Sequence, residues 1–191
     1  MLLKKYSNYN LECGVDEAGR GCLAGPVTAA AVILKPDFNH DLINDSKKLN
    51  SSLREKLVPI IIENCICFAI KNVSPKKIDE INILNASILA MHKCIKALEP
   101  NPDFILVDGN KFKTFRNIPH KTMIKGDAKY LNIAAASILA KYYRDDYMKK
   151  IHTNFKNYGW IKNKGYPTTE HKKNILKYGL TRYHRKTFKT N

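Results

Sequence analysis

Residues 14–34, GVDEAGRGCLAGPVTAAAVIL, set two adjacent acids, Asp16 and Glu17, inside an apolar run that otherwise reads as a buried strand. An ionised carboxylate taken out of water without a partner is costly, so a chain that keeps two there needs a cation beside them. The glycine-rich basic turn Gly19 to Gly25 follows, and a second apolar run, Pro26 to Leu34, completes a hairpin with a longer loop. Successive strand residues point to opposite faces. Asp16 and Glu17 can therefore serve one site only where the strand, Glu12 to Glu17, ends or bends.

The rest of the chain alternates apolar runs with helical periodicity. Asn50 or Ser51 can cap a helix running to about Asn64, in which Pro59 predicts a kink or break. CICFAIKNVS is rich in β-formers and reads as a third strand. Ser74 and Pro75 open a short helix, and Leu84, Ile88, Met91, Ile95 and Leu98 then recur at helical spacing. DFILVDGN reads as a buried strand ending at Asp108. A brief strand, a break at Gly126 and a long helix from about Lys129 to Ile151 come next, with one more helix near Thr168 to Lys177. This order predicts an α/β domain with a mixed sheet and a C-terminal helical appendage.

Charge divides the chain. Lysine and arginine number 33 and acids 17, a net +16, yet residues 1–110 hold 13 of each, and residues 111–191 hold 20 basic and 4 acidic groups. A field concentrated in one segment points to a polyanionic partner, and the punctuated pattern does not suit a membrane-surface helix. No run approaches the roughly 20 apolar residues that span a bilayer, and MLLKKYSNYN lacks a signal-peptide core, which predicts a cytoplasmic protein. Five cysteines without a CxxC pair suggest neither a disulfide framework nor a zinc ribbon.

Acids stand at further element ends. Asp108 closes a strand and Asp127 precedes a helix, and each also has a plain structural reading, as a turn residue and as a helix cap. If the two acid-bearing strands are neighbours, their ends meet in one cleft, because ligands of open α/β sheets gather beyond strand C-termini. Carboxylates alone, with no nearby histidine or cysteine, suit Mg²⁺ or Mn²⁺ better than zinc. Two such ions about 4 Å apart activate water and stabilise a leaving oxygen in phosphodiester cleavage.

GVDEAGRGCLAGPV, DSKKL, ILVDGN, KGDAKYLNIAAASILAK, YYRDDYM, NKGYPTTEH and HRKTF occur in the order and spacing of bacterial ribonuclease HII, a resemblance covering about Gly14 to Phe188. It implies an RNase H-like mixed β-sheet flanked by helices, with residues 1–150 as the catalytic domain and 151–191 as a basic helical extension packed on it. It further implies hydrolysis of RNA in RNA/DNA hybrids and cleavage 5′ of single ribonucleotides in duplex DNA, leaving 3′-hydroxyl and 5′-phosphate ends.

The resemblance implies metal ligation by Asp16, Glu17, Asp108 and Asp127, with Mg²⁺ or Mn²⁺, two ions during catalysis. Gly19, Arg20 and Gly21 would meet the ribose 2′-hydroxyl, and Tyr166 would pack on the adjoining sugar. Lys47 and Ser137 match further motif positions that face phosphate. Ser137, Lys141 and Asp145 share one helix face, where Asp145 is expected to pair with Lys141 or Arg144 rather than with metal. Only three residues follow HRKTF, so the sliding-clamp-binding tail of some relatives is not evident. The expected form of the enzyme is a monomer.

Overall fold

A computed structural model describes residues 2–43 and 49–189. Five strands, β1 (Glu12–Ala18), β2 (Val27–Leu34), β3 (Cys65–Val73), β4 (Phe104–Asp108) and β5 (His120–Met123), form one sheet in the order β3-β2-β1-β4-β5. β1 runs antiparallel to β2 and parallel to β4, so the sheet is mixed. β3 adds antiparallel to β2, and β5 parallel to β4. The architecture is the RNase H-like α/β arrangement that the sequence resemblance implied.

Both faces are covered, and the strand alternation decides by what. Val27, Ala29, Ala31 and Ile33 of β2 join Cys13 and Val15 under α2 (Pro75–Lys96). Ala30 and Val32 face the other way, against α1 (Ser51–Glu63) and α3 (Leu131–His152). The contacting stretch of α3 includes Ala134, Ala135, Ala136 and Ala140, all buried, so the helix axis can approach the sheet closely. At Gly14 that approach leaves no room for a side chain: a Cβ would overlap the backbone of Asn132 and Ile133.

Two local features test the sequence reading. α1 passes through Pro59 without a break. The amide that proline lacks would have bonded the carbonyl of Glu55, and both residues are exposed, so solvent can take that carbonyl. α2 does contain the expected division. Asn82 has φ 63 and ψ 166, and its side chain accepts from the Asn85 amide at 3.1 Å, capping the longer second part.

The C-terminal segment contains α4 (Trp160–Asn163) and α5 (Thr169–Tyr178), the latter capped by the Thr168 side chain. Its core unites Tyr158, Trp160 and Ile175 with Met148 and Ile151 of α3 and with Leu23 and Ala24 of the β1–β2 turn. The segment thus buttresses the turn that follows the two acids. Among the described residues, no helix is long and apolar enough to cross a membrane.

Candidate active site

The β1–β4 pairing runs from Glu12–Phe104 to Val15–Val107, and the next residue on each strand is a carboxylate, Asp16 and Asp108. β1 continues to Ala18 against β2 alone. Its last residues therefore overhang the end of β4, which is how Asp16 and Glu17 escape the strand alternation and line one cleft of about 430 Å³. Asp108, Ser137, Gly19, Arg20, Gly21 and Tyr166 line the same cleft, together with Arg54 and Lys141.

Each acid is held in place. An Asp16 oxygen accepts from the Glu17 amide at 2.7 Å, and the Ser137 hydroxyl also bonds its carboxylate. Burial pushes the Asp16 carboxyl well above the usual carboxylate range, and the neighbouring Glu17 and Asp108 push it the same way. Burial raises Glu17 as well, partly offset by Arg20, whose guanidinium lies 3.1 Å from its carboxylate. Asp108 accepts from the Gly126 amide at 2.7 Å.

Asp127 follows Gly126 in a short 3-10 turn, is 2% exposed and is not among the residues lining the cleft. Among the described residues, no group of three or more His, Cys, Asp or Glu side chains stands as a finished metal cage. Three carboxylates instead approach one another around a cleft at a desolvation cost. Lys47 lies outside the described residues.

Tyr166 lines the cleft beside Lys141, Arg144 and Cys22. Its ring packs beneath two cations, with Lys141 Nζ at 5.5 Å and the Arg144 guanidinium carbon at 5.9 Å from the centroid. Its hydroxyl bonds the buried Cys22 thiol, and burial pushes the phenol above its ordinary value. Asp145 pairs with Lys141 at 2.7 Å, as the helix spacing implied, and with Arg54 at 3.6 Å. A second cleft, of about 550 Å³, shares Arg54 and Lys141 with the first and adds Lys149, Lys162 and Lys164, interspersed with Glu55, Asp145 and Asp146.

Arg144 does not take the Asp145 partner that the sequence offered it. It is fully buried and donates to the carbonyls of Pro26 at 3.0 Å, Lys164 at 2.9 Å and Ala24 at 3.1 Å. Arg185, 2% exposed, donates to Gly19 and Arg20 at 2.7 Å each and to Gly25 and Pro26. Sequence reasoning missed the carbonyl-binding role of both, along with the places of Arg54 and Cys22 at the cleft. A tail crowded with basic residues gives no local signal of which arginine turns inward.

The turn's two outer glycines serve different needs. Gly19 has φ +93, and a Cβ there would overlap the Arg144 side chain, so the fold itself demands glycine. Gly21 has no such constraint: a Cβ would meet nothing within 4 Å.

The comparisons with known proteins identify the family and the fold. The Ribonuclease HII family model matches residues 13–191. A Ribonuclease HII from Christiangramia forsetii is 57% identical over 188 residues, covering 98% of this chain and 95% of that protein. The crystal structure of the ribonuclease H2 from Pyrococcus horikoshii OT3 superposes with a TM-score of 0.79 at 27% identity, covering 94% of each chain. That of Bst-RNase HIII in complex with Mn²⁺ gives 0.75 at 17% identity, over 94% of this chain and 67% of the other, and speaks to the fold alone. With a match over nearly its whole length, this chain belongs to the ribonuclease HII family and is a ribonuclease H, a hydrolase.

Proposed function

We propose that this enzyme, an endoribonuclease acting on RNA/DNA hybrids, also cuts duplex DNA on the 5′ side of a single embedded ribonucleotide, leaving 3′-hydroxyl and 5′-phosphate ends. The observation that carries the reading is the convergence of Asp16, Glu17 and Asp108 with Gly19 to Gly21 and Tyr166 on one cleft. Acids in a cleft that receives polyanion weaken binding unless cations use them.

The donor set fits hard divalent cations. All its side-chain oxygens are carboxylate or hydroxyl, and burial and mutual repulsion hold the Asp16 and Glu17 carboxyls above their ordinary range, a cost that a bound cation reverses. Asp16, Glu17 and Asp108 would hold Mg²⁺ or Mn²⁺, with Asp127 joining from the turn beside Asp108. Two bound ions supply an activated water and charge stabilisation at the leaving oxygen. Ser137 orients Asp16, and the Gly126 amide orients Asp108.

Selection of the ribonucleotide falls to other residues of the cleft. The backbone of Gly19, Arg20 and Gly21 meets the 2′-hydroxyl, the group that separates RNA from DNA. Gly21 leaves the open space such an approach needs. The Tyr166 ring stacks on the sugar next to the ribonucleotide, while Arg54, Lys141, Lys149 and Lys162 provide phosphate contacts along the two clefts. Lys47 is proposed as a further phosphate contact on the sequence resemblance alone.

The test compares a duplex carrying one ribonucleotide with the same duplex in all-DNA form. A metal-dependent nick 5′ of the ribonucleotide, and none in the all-DNA duplex, is expected. Nicking of both duplexes would refute the proposal.

A further inference from the structure

Arg185 makes its contacts with backbone alone in the Gly19–Pro26 turn. Its Nη1 donates to the Arg20 carbonyl, its Nη2 to those of Gly19, Gly25 and Pro26, and its Nε to Gly25 at 3.1 Å. The main chain is fixed as well: the Arg185 amide donates to Leu23 at 2.8 Å, and Gly25 donates to the neighbouring Tyr183 carbonyl at 2.8 Å. The guanidinium also stacks on Phe188, 4.9 Å from the ring centroid. A planar, five-donor group can satisfy several carbonyls at once, which a lysine cannot.

These contacts have a directional consequence. A trans peptide is planar, so its C=O and N–H point opposite ways. The Gly19 carbonyl shares a plane with the Arg20 amide, and the Arg20 carbonyl with the Gly21 amide. Both carbonyls point inward at Arg185, so both amides point outward on a stretch that is exposed and lines the cleft. Neither amide has a hydrogen-bond partner among the described residues. Two adjacent outward amides make a concave donor pair suited to an oxygen acceptor.

We propose that Arg185 is the positioning residue for ribonucleotide selection: by holding the Gly19 and Arg20 carbonyls inward, it aims the Arg20 and Gly21 amides at the ribose. The inference rests on the reading that this turn meets the 2′-hydroxyl. It goes beyond that reading by assigning the turn's orientation to a side chain more than 160 residues away. Arg185 is not among the residues lining the cleft, so its effect is exerted through the two peptide planes.

The experiment uses Arg185→Lys, which keeps the charge, and Arg185→Met, which keeps the bulk in case the lysine variant is poorly folded. Both are studied well below their melting temperatures. Amide NMR spectra of the ligand-free proteins report the turn directly, and the Arg20 and Gly21 resonances are expected to shift. Affinities, with calcium in place of magnesium, are measured for a duplex with one ribonucleotide and for its all-DNA counterpart. The preference for the ribonucleotide is expected to fall about tenfold, the loss of roughly one hydrogen bond, with all-DNA affinity within about twofold of wild type.

Unmoved Arg20 and Gly21 resonances in a folded variant would overturn the proposal. So would an equal fall in both affinities, the signature of a merely structural loss. If the resonances move but the wild-type protein binds both duplexes alike, Arg185's hold on the turn stands and the ribose reading falls.

Discussion

The Asp108 carboxylate accepts a 2.7 Å hydrogen bond from the Gly126 amide, which joins the end of β4 to the turn bearing Asp127. Two acids 19 positions apart in sequence are thereby one structural unit beside Asp16 and Glu17. Asp127 lies in that turn, next to Gly126, and is not part of the cleft wall.

Asp16→Asn should lower turnover by at least about 100-fold while hybrid binding stays within a few-fold, because the lost charge belongs to the acid cluster and not to the basic residues of the clefts. The same change should raise the metal-free melting temperature near neutral pH. The carboxyl's raised value means that its ionised form is held there at a cost. Steady-state rates and a melting curve check both halves.

Gly21→Ala should melt within about 1 °C of the wild type, since its Cβ enters open space. Cleavage at an embedded ribonucleotide should nevertheless fall by an order of magnitude or more, because the methyl occupies the approach to the turn. Gly19→Ala is the contrast: overlap with Arg144 and a positive φ should cost stability itself.

Tyr166→Ala should reduce cleavage at a single embedded ribonucleotide by about tenfold or more, the worth of a lost stacking contact. Its effect on folding should be smaller, because the ring is 40% exposed. Cleavage assays beside a melting curve separate the two effects, and unchanged cleavage would remove Tyr166 from the site.

Acid should unfold the protein partly through a buried imidazole pair. His171 and His184 approach at 3.2 Å between Nε2 atoms, packed against Tyr158 and Trp160. The Thr181 amide donates to His184 Nδ1, and the Trp160 indole donates to His171 Nε2. Burial, with His171 beside it, lowers His184 to about 4, and burial lowers His171 too. A lowered histidine leaves the unfolded chain binding more protons, so its stability contribution is complete above about pH 6.5 and is lost as pH falls toward 4. Melting temperatures from pH 7.5 to 4.5 should fall more steeply for wild type than for His184→Gln. The subtraction removes the opposing effect of Asp16 and Glu17, which favour the folded state as they protonate.

The element order was legible in the sequence because apolar spacing at β2, α2 and α3 is set by which face each residue buries. Pro59 misled for a local reason: its missing amide faces solvent, and exposure is not written in a proline. Asp16 and Glu17 could be picked out since buried charge inside apolar runs is rare, whereas Asp108, at a strand end, read equally well as a turn residue, and its meeting with them depended on β1 and β4 being neighbours, a long-range pairing. Arg144 and Arg185 stand in the motifs YYRDDYM and HRKTF, yet their inward contacts could not be read there. Their burial is decided by carbonyls of the Gly19–Pro26 turn, more than 100 residues earlier, and nothing beside them in sequence records it.

The most direct test of the central claim, that the carboxylate cluster binds divalent cations to hydrolyse RNA, is one duplex containing a single ribonucleotide, incubated in parallel with Mg²⁺, Mn²⁺ or EDTA. A single nick 5′ of the ribonucleotide with either metal, a 5′-phosphate on the downstream strand, and no product with EDTA is the predicted result. Product in EDTA, or full cleavage by an Asp16→Asn, Asp108→Asn double variant, would contradict it.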